Sequence, residues 1–309
     1  MTEIDLVRLN FSPESLTALN VILALVLFGV ALDMKVSDFT GITSAPRATL
    51  IGLLGQFLLL PAVAWGLGML LKPAPSIALG MILVAACPGG NISNFMTHFA
   101  RGNTALSITI SAFSTLGSLF FTPFNLAFWG SLNPATNQLL HAVALSPLEV
   151  VGAIVFLLGI PAALGMGVAY WFPAFARRAH KPFKVLSLVV FGAFVIGALA
   201  ANWQHFIHHV GRVVGVVFLM NGLGLLVGYW SGRLAGLPER DCRATSIEVG
   251  IQNSGFGLVL VFNFFDGMGG MAIVAAWWGI WHILTGMALA SWWRRRPPPV
   301  AAPDPAPAP

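Results

Sequence analysis

Charge is what this sequence lacks most. Among 309 residues there are 16 Lys and Arg and 11 Asp and Glu, so 9% are charged and 57% are hydrophobic. A soluble domain carries about 25% charged residues. That deficit excludes an ordinary soluble protein and points to an all-α polytopic membrane protein. Cysteine is nearly absent: Cys87 and Cys242 are expected in a span and a loop respectively. No disulfide framework follows, and no metal-ligand spacing appears. Also missing are a nucleophile elbow, a phosphate loop and paired catalytic carboxylates. His282 with Ser107 or Ser111 is the one conceivable Ser/His pair, and nothing in the sequence brings those residues together, so an enzyme is not expected. The first fourteen residues lack a basic n-region and a small-residue cleavage site. The first apolar segment is therefore expected to stay as a span.

Nine segments reach the roughly 20 mainly apolar residues that cross a bilayer: 15–33, 46–71, 76–99, 104–129, 147–172, 185–202, 210–230, 240–265 and 268–293. Between them lie a polar loop with Asn133, Pro134 and Asn137, a basic loop with Arg177, Arg178, Lys181 and Lys184, and a connection with His205, His208 and His209. Nine spans put the termini on opposite sides. Arg8, Lys72 and Arg212 fall on the N-terminal side, and the other thirteen of the sixteen basic residues fall on the C-terminal side. The positive-inside rule then sets the N-terminus outside and the C-terminus in the cytoplasm, in a plasma (inner) membrane. This placement gives the net charge of +5 a topological meaning and leaves no basic surface for nucleic acid. Residues 1–14 form an extracytoplasmic segment. The Pro- and Ala-rich tail, 294–309, cannot build a core and is expected to be disordered.

Two of the spans are interrupted by polar, glycine-containing stretches: Cys87-Pro88-Gly89-Gly90-Asn91-Ile92-Ser93-Asn94 and Glu248-Val249-Gly250-Ile251-Gln252-Asn253-Ser254-Gly255. Lipid offers a freed backbone group no partner, so irregular backbone at that depth lines a protected cavity. The first four spans match the last four, with the third of each set broken. The odd number of spans before the second set inverts it. Inverted repeats with paired broken helices mark the binding site of secondary transporters.

Glu248 is the one carboxylate well inside a span, where insertion costs at least about 2.5–3.5 kcal/mol. It has no Lys or Arg partner within the spans, which favours a bound cation; a protonated Glu in a structural hydrogen bond is the alternative. Gln56, Ser93, Asn94, Ser107, Ser111, Gln252 and Asn253 make the surroundings rich in oxygen and poor in sulfur, which suits a hard cation. A divalent ion would want more carboxylates, so Na⁺ fits better. Taken singly, each Ser or Asn is more often helix–helix glue than a ligand; their convergence on both breaks is what favours ligands. Asn91, Ile92 and Asn253 lie where half-helix N-termini attract anions, so a carboxylate or sulfonate is a natural guest. His282, central in the last span, reads as a polar lining or a packing residue. Pro61, Pro123 and Pro161 read as kinks. Asp33 and Glu149 lie near span ends and read as solvated.

The two polar stretches, together with Ala100-Arg101-Gly102-Asn103 and Ala105-Leu106-Ser107, resemble the hallmarks of the bile acid:sodium symporter family. The resemblance runs over nearly the whole transmembrane domain, 15–293. It implies a core domain (46–129 and 210–293) in which the broken helices cross at the midplane, and a panel domain (15–33 and 147–202). It also implies coupling to two Na⁺. Ser93, Asn94, Ser107, Ser111 and Glu248 would form one sodium site; Gln56, Glu248 and Gln252, with the carbonyls of Val249 and Ile251, would form the other. Asn91, Ile92, Asn253 and His282 would face the substrate. Departures from the family pattern are Ser111 for a frequent Thr, Asn91 where bacterial relatives often have Thr, and Ile283 where some carry Asn. Several bacterial relatives also have an additional first span. The expected activity is alternating-access symport of an organic anion, bile-acid-like or a smaller pantoate-like acid, with no obligate protein partner. A proton-coupled carrier and a non-transporting anion sensor are the alternatives.

Overall fold

The structure, a computed structural model, describes residues 3–9, 13–32, 34, 36–90, 92–142, 152 and 155–299. Among them there is no strand, only helices: α1 Glu3–Leu6, α2 Pro13–Ala31, α3 Val36–Ser44, α4 Pro46–Leu71, α5 Pro75–Ala86, α6 Ile92–Phe99, α7 Thr104–Ser131, α8 Pro134–Ala142, α9 Val155–Trp171, α10 Pro173–Ala201, α11 Trp203–Leu234, α12 Glu239–Gly250, α13 Ser254–Phe264 and α14 Gly269–Arg294. Pro46–Leu71, Thr104–Ser131, Phe206–Leu234 and Gly269–Arg294 are each long and apolar enough to cross a membrane. Their outer faces expose large apolar side chains; Phe120, Phe124 and Phe128, four residues apart on α7, stack into one such stripe. A surface of that kind is stable against lipid and not against water.

Both expected interruptions are real breaks. α5 ends at Ala86, residues 87–90 run without helix, and α6 begins at Ile92. α12 ends at Gly250, and α13 begins at Ser254 behind the N-cap Asn253, whose side chain accepts the Phe256 N–H at 3.0 Å. α5 packs against α4, α7 and α14, and α12 packs against α11. α2 packs against α9 and α10, and a reciprocal amide pair between Asn20 and Asn263 (3.0 and 2.7 Å) ties it to α13.

Several expected loops are helices. The polar stretch after α7 is α8, with Asn133 accepting the Ala135 N–H at its start. The basic stretch at 177–184 and the span after it form one helix, α10, and the histidines at 205–209 belong to α11. Lys, Arg and His are adequate helix formers, and in these two the turn falls beside the basic stretch rather than within it, with Pro182 carried inside α10. Cys242, expected in a loop, is buried on α12, and both cysteines are free. Pro61 and Pro161 do more than kink: each follows a five-residue π-helical stretch, Gly55–Leu59 and Val155–Gly159. A proline nitrogen cannot donate to the carbonyl four residues back, and the wider turn accommodates that lost bond. Asp33, Asn91, Glu149 and residues 300–309 of the expected disordered tail lie outside the described residues.

The N-terminal segment, expected simply to project outside, is docked on the helices. Asp5 is buried, and its Oδ1 accepts the Ser76 N–H at 2.8 Å, supplying the cap that Ala74 cannot give α5. Residues 7–9 lie along the start of α14, with Gly269 N–H donating to Val7 O and Leu9 N–H to Gly267 O.

Candidate cation and substrate site

The two breaks cross as short antiparallel extended segments. Gly89 pairs with Gln252, Gly90 N–H donates to the Ile251 carbonyl at 2.8 Å, and Asn253 N–H donates to the Pro88 carbonyl at 2.9 Å. Glycine permits the approach. A Cβ on Gly89 would lie 2.9 Å from Glu248 Oε2, and one on Gly90 would lie 3.2 Å from the Gln252 carbonyl oxygen.

Glu248 sits in the last turn of α12, fully buried, with no ion-pair partner among the described residues. Its Oε1 accepts from the hydroxyls of Ser93 on α6 and Ser107 on α7, and its Oε2 accepts from Ser111 at 2.9 Å. The Asn94 side-chain oxygen Oδ1 closes the group, 2.8 Å from Ser107 Oγ and 3.4 Å from Ser111 Oγ. A serine hydroxyl has one proton. Three protons therefore face the four lone-pair sites of a carboxylate and an amide oxygen besides. All five residues predicted for the first sodium site converge here, in a cluster with more acceptors than donors.

The turn that brings α6 back into α7 explains the Ala100-Arg101-Gly102-Asn103 motif. Arg101 is left-handed (φ 58°), Gly102 N–H donates to Thr97 O and Arg101 N–H to His98 O, closing a Schellman cap. Asn103 caps α7 through the Leu106 N–H and is itself held by Asp241 at 2.8 Å. Ser107 and Ser111 then share one face of α7.

Gln56 and Gln252 form a second cluster. Gln56 stands on the π-helical stretch before Pro61, and such stretches recur at functional sites. The two amides are reciprocally bonded, Gln56 Nε2 to Gln252 Oε1 at 2.6 Å and Gln252 Nε2 to Gln56 Oε1 at 3.1 Å. Gln56 Nε2 also reaches the Cys87 carbonyl, and Gln252 Nε2 the Val249 carbonyl at 2.8 Å. The Ile251 carbonyl is taken by Gly90, and the carboxylate of Glu248 faces the serines. Gln56, Val249 and Gln252 are thus joined directly, while Glu248 and Ile251 adjoin them through the chain.

Asn91 lies outside the described residues, and Ile92 is the first residue of α6. Asn253 borders a small cavity together with Pro88, Gly89, Thr115, Ser118 and Phe256, whose far wall is Leu27 of α2 and Ala162 of α9. His282 is not in that wall. It is buried on α14, edge-on to Trp278, and its Nδ1 has no partner among the described residues. It shares a face with Gly279 and Gly286, which abut Ser254 and Ile251, so it stands behind the second break.

The family described as Sodium Bile acid symporter family matches residues 20–209, more than half of the chain. The chain belongs to the sodium/bile acid symporter family. Its relatives extend the likeness past residue 209, over the second break. A sodium-dependent transporter of Bacillus subtilis, YocS, is 30% identical over 90% of this chain and 83% of its own length. The probable chloroplastic sodium/metabolite cotransporter BASS1 of Arabidopsis thaliana is 31% identical over 89% of this chain, which spans 66% of that protein. The human ileal sodium/bile acid cotransporter is 26% identical over 77% of this chain and 67% of its own. These symporter relatives carry names of transporters and cotransporters, not enzymes.

Sequence reasoning missed Arg243, Asn221 and the half-buried Thr285. Arg243 counted only as a basic residue outside the spans, yet its guanidinium is buried and bonded to Glu239 Oε1 and to the carbonyls of Ala100, Trp293 and Arg296. It holds the ends of α6 and α14 to α12. Asn221 and Thr285, single polar residues in apolar runs, bond to each other, and Asn221 bonds to the Gly250 carbonyl at the second break. A buried amide in a span is a signal in itself, and it could have found Asn221.

Proposed function

We propose that this symporter-family chain couples the uptake of a small organic anion to sodium, as a nine-span protein of the plasma (inner) membrane with its N-terminus outside and its C-terminus in the cytoplasm. One observation carries the reading. Glu248 gathers three hydroxyls and an amide oxygen into a buried cluster with a surplus of acceptors and no cationic side chain. A desolvated monovalent cation balances both the charge and the lone pairs, and hard oxygen donors select Na⁺ over softer ions. In this reading Ser93, Asn94, Ser107, Ser111 and Glu248 hold one Na⁺. Gln56, Glu248 and Gln252, with the carbonyls of Val249 and Ile251, hold a second once the amide pair opens.

In this reading the substrate is a bile-acid-like or a smaller, pantoate-like carboxylate. Asn91, Ile92 and Asn253 would receive it at the half-helix N-termini, whose free N–H groups favour anions, with His282 behind them. The cavity wall supports a division into moving parts. Leu27 and Ala162 belong to the panel (15–33 and 147–202), and Thr115, Gly89 and Asn253 to the core (46–129 and 210–293). Alternating access is then a movement of panel against core, about inverted repeats.

The test is uptake of radiolabelled pantoate and taurocholate into proteoliposomes under an imposed Na⁺ gradient or an imposed pH gradient. Uptake that follows the Na⁺ gradient and collapses with Na⁺ on both sides is expected. Uptake that follows pH alone would replace this reading with a proton-coupled carrier, and Na⁺-dependent binding without uptake would make the chain a sensor.

A further inference from the structure

The last four carbonyls of a helix have no donor within it. At the end of α12 they lie beside Glu248, where a buried acceptor left unpaired costs about 1–3 kcal/mol. The Ile251 carbonyl is taken by Gly90 N–H and the Val249 carbonyl by Gln252 Nε2. The Gly250 carbonyl between them accepts from Asn221 Nδ2 of α11 at 2.8 Å.

Asn221 is fully buried, and its amide has one possible orientation. A carbonyl can only accept, so the nitrogen must face Gly250. The oxygen is then left to the hydroxyl of Thr285 on α14, which donates to it. Two partners on two other helices therefore fix one side chain.

The seam between α11 and α12 puts Asn221 there. Gly224, Gly228 and Gly232 follow it on the same helical face. A Cβ on Gly228 would stand 2.6 Å from the Thr245 carbonyl oxygen, one on Gly232 3.1 Å from Cys242 Sγ, and one on Gly224 3.6 Å from the Val249 carbonyl oxygen. Small residues at such spacing let two backbones lie together, and the amide at the end of the stripe reaches the last peptide of α12. The other break repeats the device. Gln56, on the helix preceding α5, donates to the Cys87 carbonyl at 2.7 Å.

We propose that Asn221 is a positioning residue for cation binding. By holding the Gly250 peptide it sets the direction of the Val249 and Ile251 carbonyls on either side, and so tunes Na⁺ affinity without touching ion or substrate. This rests on the sodium reading above.

The experiment is a Na⁺ titration of the unfolding temperature of the full-length protein in detergent, with KCl replacing NaCl at constant ionic strength. Asn221→Ala should raise the half-saturating Na⁺ concentration at least tenfold. Thr285→Val, which keeps the orientation set by Gly250 but removes the donor that anchors the amide oxygen, should loosen the Gly250 bond and raise it two- to fivefold. A merely structural role would lower the unfolding temperature in KCl and leave the Na⁺ midpoint in place. A folded Asn221→Ala protein with the wild-type midpoint would overturn the proposal. Should Asn221→Ala fail to fold, an unmoved midpoint in Thr285→Val would overturn it equally. A wild-type protein with no Na⁺-specific shift would overturn the sodium reading and this proposal together, which separates the two failures.

Discussion

Replacing Glu248 by Gln should leave the protein about as stable in K⁺ as the wild type and abolish its response to Na⁺. The carboxylate is fully buried and has no ion-pair partner among the described residues, so the charged form carries a desolvation cost of several kcal/mol. Three serine hydroxyls offset it, at about 1.5–3 kcal/mol for each hydrogen bond to a charged group. In the Gln variant the remaining oxygen takes the place of Oε1 and keeps Ser93 and Ser107. The amide nitrogen replaces Oε2, and Ser111 rotates from donor to acceptor. The three bonds fall to about 0.5–1.5 kcal/mol each, but no charge remains to be desolvated, so the changes oppose each other. With Na⁺ the two proteins part. A ligand at one hundred times its Kd stabilises by about 2.7 kcal/mol, or about 5–10 °C at 2–4 °C per kcal/mol. The amide has no charge to offer and should show none of that increment. The assay is thermal unfolding in detergent across a NaCl series balanced with KCl. A Gln variant that kept the Na⁺ increment would refute the cation site. One that unfolded far below the wild type in KCl would show that the carboxylate is instead a structural hydrogen-bond acceptor.

Two further outcomes concern the framework around the site. Arg243→Lys should lower stability by about 3–5 kcal/mol, the cost of breaking a buried charged network, because one ammonium cannot reach Glu239 together with the Ala100 carbonyl after α6 and the Trp293 and Arg296 carbonyls at the end of α14. Chemical unfolding in detergent would measure that loss, and a wild-type midpoint would dismiss the role given to the guanidinium. Asp5→Ala should cost about 0.5–2 kcal/mol, as loss of a helix cap does, and expose the N-terminal segment to protease. Asp5→Asn keeps the acceptor for Ser76 N–H and should recover most of it; equal losses in the two variants would count against capping.

Much of the site could be read from the sequence because its constraints are local or chemical. A Pro-Gly-Gly run and a carboxylate in apolar surroundings are each improbable in lipid without a purpose. The four-residue spacing of Ser107 and Ser111 puts both on one face whatever the tertiary packing. The loops were harder to read. The basic stretch in α10 and the histidines of α11 look like connections by polarity and, in α10, by Pro182 as well, yet the helix runs through both. The buried residues that went unnoticed depend on partners far away in sequence. Asp5 meets Ser76, Arg243 meets Trp293, and Asn221 meets both Gly250 and Thr285. No periodicity encodes such meetings. Polarity at depth is their only local trace, and for Arg243 even that is hidden beside a charged helix start.

The two breaks are built alike and contribute different side chains. Around the first, neighbouring groups take up the freed carbonyls: Thr122 binds Ala86, Gln56 binds Cys87 and Asn253 binds Pro88. Pro88 and the two glycines add no polar side chain of their own. The second break adds Glu248, and that carboxylate reaches across to Ser93 of α6 and to Ser107 and Ser111 of α7. In the proposed mechanism a cation held there ties α6, α7 and α12 together, and all three belong to the core. The cavity that would take the anion is lined by Gly89 and Asn253 on one side and by Leu27 and Ala162 on the other, which in that mechanism is the edge of the core. Sodium would therefore order the crossing from inside the core, while the substrate occupies the boundary along which panel and core slide. Coupling then needs no contact between ion and anion. Fixing the crossing would set Gly89 and Asn253 for the substrate, and in the proposed mechanism a core with the crossing unset would present no complete wall to close upon.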